Sequence, residues 1–114
     1  KARIFEDTAL LFFRKRHLKT YPEIGKFWDR RGNEIDIVGI NRKSREMLVA
    51  EVKIKELSRT EAESVVEELR NKSSPIPFRP DRVRYGIVAP RIRSREVLEK
   101  EGYLIATLED ILKI

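Results

Sequence analysis

Asp36, Glu51 and Lys53 are the residues whose types and spacing best suit chemistry. Asp36 lies in the apolar run 34–40, and Glu51 and Lys53 lie together in the run 47–55. Both runs are rich in valine, isoleucine and leucine, which predicts two strands. If those strands pair, two acids and a lysine come together on one face of a sheet.

The polar segment Arg42–Arg45 predicts the loop of a hairpin between these strands. A four-residue loop makes the numbers of opposed residues sum to 87, so that Asp36 faces Glu51 and Glu34 faces Lys53. Opposed carboxylates lie about 5 Å apart and repel each other unless a cation lies between them. Mg²⁺ satisfies this requirement, because it takes few carboxylates and keeps positions for water and phosphate. The alternative is a cross-strand network in which Lys53 and Glu34 neutralise the two acids.

The opposite face of the hairpin is expected to be wholly apolar. Side chains alternate along a strand, which places every second residue on this face. Its members are Ile35, Ile37, Leu48, Ala50, Val52 and Ile54.

The elements that must position these residues follow from periodicity and capping signals. A helix over 2–16 precedes three strands, a capping box at Ser58 and Glu61 opens a second helix, and two further strands alternate with short helices. The predicted strands are 23–29, 34–40, 47–55, 83–89 and 103–106, with the later helices capped by Ser94 and by Thr107 with Asp110. This order predicts an α/β fold with a mixed sheet and helices on both faces.

The composition excludes several classes of site. The chain has 114 residues, no cysteine and one histidine. Disulfide scaffolds, cysteine-ligated zinc, iron-sulfur clusters and thiol nucleophiles are therefore excluded. We expect a single domain, and the lack of a long apolar run predicts a cytoplasmic protein with no membrane partner.

The net charge of +6 and the isoelectric point near 9.8 are typical of proteins that bind polyphosphate ligands. A solvated surface of scattered ion pairs would give the same composition. The basic residues predicted to contact nucleic acid are Arg14, Lys15, Arg16, Lys19, Arg42, Lys43, Arg91, Arg93 and Arg95. Phe27 and Trp28 are predicted to lie in the core rather than to stack on bases, because large aromatic side chains are usually buried.

The segment Ile35-Asp36, followed after fourteen residues by Glu51-Val52-Lys53, resembles the motif of the PD-(D/E)XK nuclease superfamily, which has the restriction-endonuclease-like fold. The predicted element order is similar to the core of that superfamily. Archaeal Holliday-junction resolvases are also similar, and Glu6 lies where many members carry a further acid. With Phe27-Trp28-Asp29, the motif most resembles the nuclease-like C-terminal domain of archaeal P-loop ATPases.

This resemblance implies a DNA endonuclease that requires Mg²⁺ or Mn²⁺. Asp36, Glu51 and the carbonyl of Val52 would ligate the metal, Lys53 would stabilise charge on the phosphate, and Glu6 would be an outer ligand. The alternative is a catalytically silent module that binds DNA or another protein.

The resemblance, together with a first residue that is not methionine, predicts that residues 1–114 are one nuclease-like domain at the C-terminal end of a larger ATPase. DNA and a P-loop ATPase domain in the same chain are the expected partners. The oligomeric state is left open, a homodimer included.

Overall fold

Strands and helices follow one another in the predicted order within residues 2–113, the part of the chain that a computed structural model describes. The elements are α1 (Ala2–His17), β1 (Glu23–Trp28), β2 (Glu34–Asn41), β3 (Glu46–Val52), α2 (Arg59–Ser73), β4 (Arg82–Ala89), α3 (Arg95–Lys100), β5 (Leu104–Thr107) and α4 (Leu108–Leu112). None of the helices in this part is long and apolar enough to cross a membrane.

The five strands form one mixed sheet in the order β1-β2-β3-β4-β5. The first three pair antiparallel, whereas β4 and β5 continue the sheet in parallel, each reached through a helix. Right-handed crossovers that add strands in one direction place their helices on one face. Helices α2 and α3 accordingly lie on the same face of the sheet. The strand directions confirm the predicted mixed sheet of an α/β fold.

Two apolar cores sandwich the sheet. On one face, Ala9, Phe12 and Phe13 of α1 pack with Ile111 of α4 against the strands. The core on the other face contains the α2 and α3 residues Ala62, Val65, Val66, Leu69 and Leu98. Because both faces of β3 are covered, a charged side chain on that strand loses water and needs a partner.

The second helix begins where its capping signal predicts. Ser58 accepts a hydrogen bond from the backbone N–H of Glu61, and the Glu61 side chain accepts one from the backbone N–H of Ser58. Asp110 likewise accepts from the backbone N–H of Thr107 before α4. Ser94 is the N-cap residue of α3, as predicted, but it has φ +59° and its side chain makes no capping bond.

The β2–β3 register agrees with the predicted sum of 87, with Val38 opposite Val49 and Asn41 opposite Glu46. The predicted common face of Ile35 and Ile37 is wrong. A bulge lies between β1 and β2, where the pairs change from Gly25–Val38 to Phe27–Ile35. One residue of β1 therefore opposes two of β2, and the alternation reverses. Ile35 packs under α2, whereas Ile37 packs under α1.

Strand β3 ends at Val52, three residues before the predicted end. The backbone N–H of Lys53 still donates to the carbonyl of Val88 at 2.7 Å, after which the chain leaves the sheet. Ile54 is consequently 61% exposed, so its predicted place on the apolar face is wrong. The change of direction brings Lys53 to the end of the sheet.

Candidate functional site

Asp36 and Glu51 lie where β2 and β3 begin to separate. Ile37 and Ala50 are the last paired residues of these strands at that end, and Asp36 and Glu51 are the next residues along. Oδ2 of Asp36 accepts a hydrogen bond from the backbone N–H of Val52 at 2.9 Å. The bond orients the Asp36 carboxylate toward β3 and uses only one of its two oxygens, so the other can take a further partner.

The Glu51 carboxylate is mostly buried, with 13% of the side chain exposed. Its Oε1 is buried and has no hydrogen-bond partner in the described residues. Burial raises the pKa of Glu51, and the negative charge of Asp36 raises it further, against the smaller opposing effects of Lys72 and Lys53. An unpaired buried oxygen is rare and costly in a folded protein. In the described residues, Oε1 of Glu51 therefore lacks a cation or a hydrogen-bond donor.

Lys72 of α2 is the basic residue that contacts Glu51, with its Nζ 3.4 Å from Oε2. Lys53 lies beside the pair, and its side chain makes no ion pair in the described residues. The predicted pairing of Glu34 with Lys53 is wrong, because the pairing of β2 with β3 ends at Ile37 and Ala50, and the Glu34 carboxylate lies 3.9 Å from Lys26. The alternative network, in which Lys53 and Glu34 neutralise the two acids, is therefore not formed. The contact of Lys72 with Glu51 takes its place.

Glu6 lies on α1, where Oε1 is 3.8 Å from Nζ of Lys26. No group of three or more His, Cys, Asp or Glu side chains within residues 2–113 is placed to hold a metal ion. Glu6 thus does not join Asp36 and Glu51 in one cluster. Its contact with Lys26 nevertheless places the start of α1 at the same end of β1 as the bulge.

The donor chemistry at Asp36 and Glu51 fits Mg²⁺ or Mn²⁺. Both ions prefer oxygen ligands, and Mg²⁺ is usually held by one or two carboxylates with water and phosphate filling its other positions. A cation at the unpaired Oε1 of Glu51 would satisfy that atom and reduce the repulsion from Asp36. Two carboxylates without a third acid are therefore sufficient for this class of site.

The predicted basic clusters lie at both ends of the sheet. Asn41 donates from Nδ2 to the carbonyl of Thr20, so Lys19 and the end of α1 lie beside the Arg42–Arg45 loop. Asn41 is five residues from Asp36, which is roughly 17 Å along a strand. Arg91 follows β4, which runs parallel to β3, and its carbonyl accepts from the N–H of Leu57. Arg91 therefore lies at the same end as Glu51.

Several of these basic side chains are already engaged. Arg42 pairs with Glu23, Arg93 with Glu56 and Arg95 with Asp110, at distances between 2.7 and 2.8 Å. Arg14 donates to the carbonyl of Ile24, and the guanidinium of Arg16 lies 5.0 Å from the centre of the Phe12 ring. Within residues 2–113, the predicted cations whose side chains make no ion pair, hydrogen bond or cation–π contact are Lys15, Lys19, Lys43 and Arg91.

The burial predicted for Trp28 is wrong, since its side chain is 67% exposed at the end of β1. Phe27 points the other way and packs partly buried against the α2 core. Sequence reasoning also missed Lys72 at the site. The signal was available, because Lys72 lies three residues after the buried Leu69 and so continues the inward face of α2.

Two solved structures are similar to this chain. Over 88% of it, a repair endonuclease from Pyrococcus abyssi superposes with a TM-score of 0.52 at 20% sequence identity, and the match covers 44% of that protein. A structure of EndoMS in complex with double-stranded DNA superposes at 0.44 with 24% identity, covering 88% of this chain and 42% of the other. The first match shows that this chain has the fold of part of a repair endonuclease.

Two sequence matches identify the relatives of the chain. An uncharacterized protein of Methanocaldococcus jannaschii is 32% identical over 76 residues, which are 67% of this chain and 17% of that protein. The chain therefore spans only a small part of this relative. Residues 2–65, more than half of the chain, match the DUF234 family of archaeal and bacterial proteins of unknown function. The chain belongs to the DUF234 family.

Proposed function

We propose that this domain is a metal-dependent nuclease of the PD-(D/E)XK type that cleaves phosphodiester bonds in DNA. The observation that carries the proposal is the unpaired, buried Oε1 of Glu51 beside the carboxylate of Asp36. The Pyrococcus abyssi protein with the same fold is a repair endonuclease, which supports the same class of activity. The basic composition supports DNA as the ligand.

In this proposal Asp36 and Glu51, with the carbonyl of Val52, hold Mg²⁺ or Mn²⁺. When bound, the ion would supply Lewis-acid chemistry that polarises the scissile phosphate and lowers the pKa of a water. Lys53 orients that water or stabilises the charge that grows on the phosphoryl oxygens. The hydrogen bond from the Val52 N–H keeps the Asp36 carboxylate in one orientation before the ion binds.

The test measures both metal binding and cleavage. We expect Mn²⁺ or Mg²⁺ to bind the wild-type chain in calorimetry and to support cleavage in a panel of linear, branched and single-stranded DNA. Glu51→Gln and Asp36→Asn should lose both. Glu67→Gln is the matched control, because Glu67 lies on the exposed surface of α2 and its side chain is 74% exposed. Wild-type protein that binds no divalent ion with or without DNA would overturn the proposal.

A second candidate is a catalytically silent module that binds DNA or another protein. The contact between Lys72 and Glu51 favours it, because an ammonium group supplies the positive charge that an ion would otherwise provide. This candidate predicts DNA binding that does not depend on divalent ions, and no cleavage. It also predicts that Glu51→Gln destabilises the protein, since Lys72 then loses its partner.

We further propose that the domain works within a larger chain that carries a P-loop ATPase. The resemblance of residues 27–29, 33–38 and 49–53 to such C-terminal domains supports this arrangement, and the match covers only 17% of the Methanocaldococcus jannaschii relative. Sequencing the intact open reading frame tests it. A reading frame without a P-loop motif would overturn the proposal.

A further inference from the structure

We infer that the tip of the β1–β2 hairpin binds an unpaired base of the DNA strand that enters the Asp36–Glu51 site. Trp28 is the base-stacking residue, and Arg30 and Arg31 are the phosphate contacts beside it. The choice of DNA rests on the proposed function, whereas the stacking site rests on the geometry of the hairpin.

Trp28 is the sole tryptophan of the chain, and two thirds of its side chain is exposed. A large aromatic ring loses the benefit of burial when it faces water, so this exposure leaves an apolar face free for a ligand. Every base presents a flat π face to such a ring, whichever base it is. An exposed indole at this position therefore fits a nucleobase that is not stacked within a duplex.

The turn that carries Trp28 is held rigid by Asp29. Oδ1 of Asp29 accepts from the backbone N–H groups of Arg31 and Asn33, and Oδ2 accepts from Nδ2 of Asn33. Gly32 supplies the positive φ of +87° that the turn requires. Hydrogen bonding by Asn33 lowers the pKa of Asp29, so its charge is used inside the turn. A preorganised turn loses little entropy when a ligand binds.

Arg30 and Arg31 are exposed at the tip, and neither makes an ion pair in the part of the chain that the structure describes. Lys26 lies nearby, within 4 Å of both Glu6 and Glu34, so these two carboxylates share one ammonium group. The two guanidinium groups at the tip are therefore free to contact backbone phosphates.

The tip is close to the proposed cleavage site. Trp28 is paired with Glu34, which lies two residues before Asp36 on β2. Two residues of strand span roughly 7 Å, about the length of one extended nucleotide. A base stacked on Trp28, on the face of the sheet opposite to the α2 core, would consequently place a neighbouring phosphate near the end of β2 that carries Asp36. The geometry points to DNA with unpaired bases beside the cleaved bond.

Fluorescence of the single tryptophan tests the inference directly. In EDTA, adding a twenty-residue oligothymidylate to the 114-residue chain should quench Trp28 emission, and a blunt duplex should quench it less. By anisotropy of labelled DNA, Trp28→Ala should weaken binding of oligothymidylate roughly tenfold and change duplex binding less than about twofold. Trp28→Phe should recover part of the affinity. Leu11→Ala is the control, because Leu11 is exposed to a similar degree on α1.

The outcomes separate this inference from the proposed nuclease activity. Unchanged emission at saturating DNA, or equal affinity of Trp28→Ala and wild type, would overturn the stacking site even if the chain cleaves DNA. Quenching without any divalent-dependent cleavage would support the stacking site and overturn the nuclease. Stronger quenching by oligouridylate than by oligothymidylate would overturn the assignment to DNA.

Discussion

Nζ of Lys72 lies 3.4 Å from Oε2 of Glu51, and this contact joins α2 to the central strand β3. Lys72 is about one third exposed, so its ammonium can turn to water, whereas the Glu51 carboxylate cannot. The pKa of Glu51 is still raised, because burial and the charge of Asp36 outweigh the effect of Lys72. The ion pair therefore only partly offsets the cost of the buried charge.

Glu51→Gln should raise the melting temperature of the metal-free protein at pH 8 by a few degrees, on the order of 1 kcal/mol. The folded protein holds the Glu51 proton to higher pH than the unfolded chain does, since the pKa of Glu51 is raised. The contribution of Glu51 to wild-type stability consequently falls as the pH rises above about 4.3, the ordinary glutamate pKa, until Glu51 is ionised in both states. The Glu51→Gln variant does not lose stability in this way, because glutamine does not ionise.

Melting in EDTA between pH 4 and pH 8 measures the effect. The advantage of Glu51→Gln should shrink toward pH 4, where Glu51 is mostly protonated in both the folded and the unfolded wild type. When Mn²⁺ replaces EDTA, the melting temperature of the wild type should rise and that of the variant should stay the same. A variant that melts lower than the wild type at pH 8 would contradict the prediction and favour the silent module.

Lys72→Gln should tighten Mn²⁺ binding at pH 8 and lower the melting temperature in EDTA. The ammonium competes with the ion for Oε2 of Glu51, and without it the buried carboxylate has no positive partner from α2. Calorimetry at pH 8 gives the affinity. Weaker Mn²⁺ binding in this variant would mean that Lys72 supports the metal site instead of competing with it.

Lys53→Ala should keep metal and DNA binding but reduce the cleavage rate by about 100-fold or more. Lys53 acts on charge that develops only in the transition state, so its loss affects the rate more than the affinity. Its backbone bond to Val88 does not depend on the side chain, and the fold should persist. Single-turnover cleavage beside a binding isotherm measures both effects, with Lys100→Ala on α3 as the control. An equal loss of affinity and rate would make Lys53 a DNA-binding residue.

Arg91→Ala should reduce the slope of log K against log salt by about 0.9 for double-stranded DNA, or about 0.7 for a single strand. Arg91 makes no ion pair in the described residues and lies at the same end of the sheet as Glu51. Lys43→Ala should leave the slope unchanged, because Lys43 lies in the loop at the opposite end. Equal slopes for wild type and Arg91→Ala would exclude Arg91 from the DNA contact.

Arg95→Ala should lower the melting temperature without a change in the salt slope. Arg95 bonds Asp110, Glu99 and the carbonyl of Ile105, so it joins α3 to β5 and α4. Removing it leaves the partly buried Asp110 without its cation. Thermal melting and DNA titration of the same variant check both parts. A changed salt slope with an unchanged melting temperature would instead make Arg95 a DNA contact without a structural role.

Local signals in the sequence predicted most of the fold. The capping box at Ser58 and the four-residue loop fixed the start of α2 and the hairpin register, because both depend on residues close together in the chain. The bulge opposite Lys26 is marked only by the neighbouring Gly25, and neither glycine nor proline stands at the two β2 residues that oppose the lysine. It reverses the side-chain alternation between Ile35 and Ile37.

The candidate site was predicted in outline. Asp36 and Glu51 were placed together by the register, but the contact of Lys72 depends on how α2 crosses β3 and joins residues 21 positions apart. Trp28 was misplaced because hydrophobicity alone predicts burial. Its strand ends at this residue, and the ring there remains in water. Distances between separate elements, rather than residue types, were the missing information.

The bulge in β1–β2 also bears on how this domain avoids aggregation. β1 is an outermost strand of the sheet, and an unpaired strand edge can recruit a strand from another molecule. The bulge in β2 increases the local twist beside β1, which makes this edge less regular for an intruding strand, and Lys26 adds charge at the same point. Straightening this strand by deleting one β2 residue at the bulge would expose a regular edge prone to self-association.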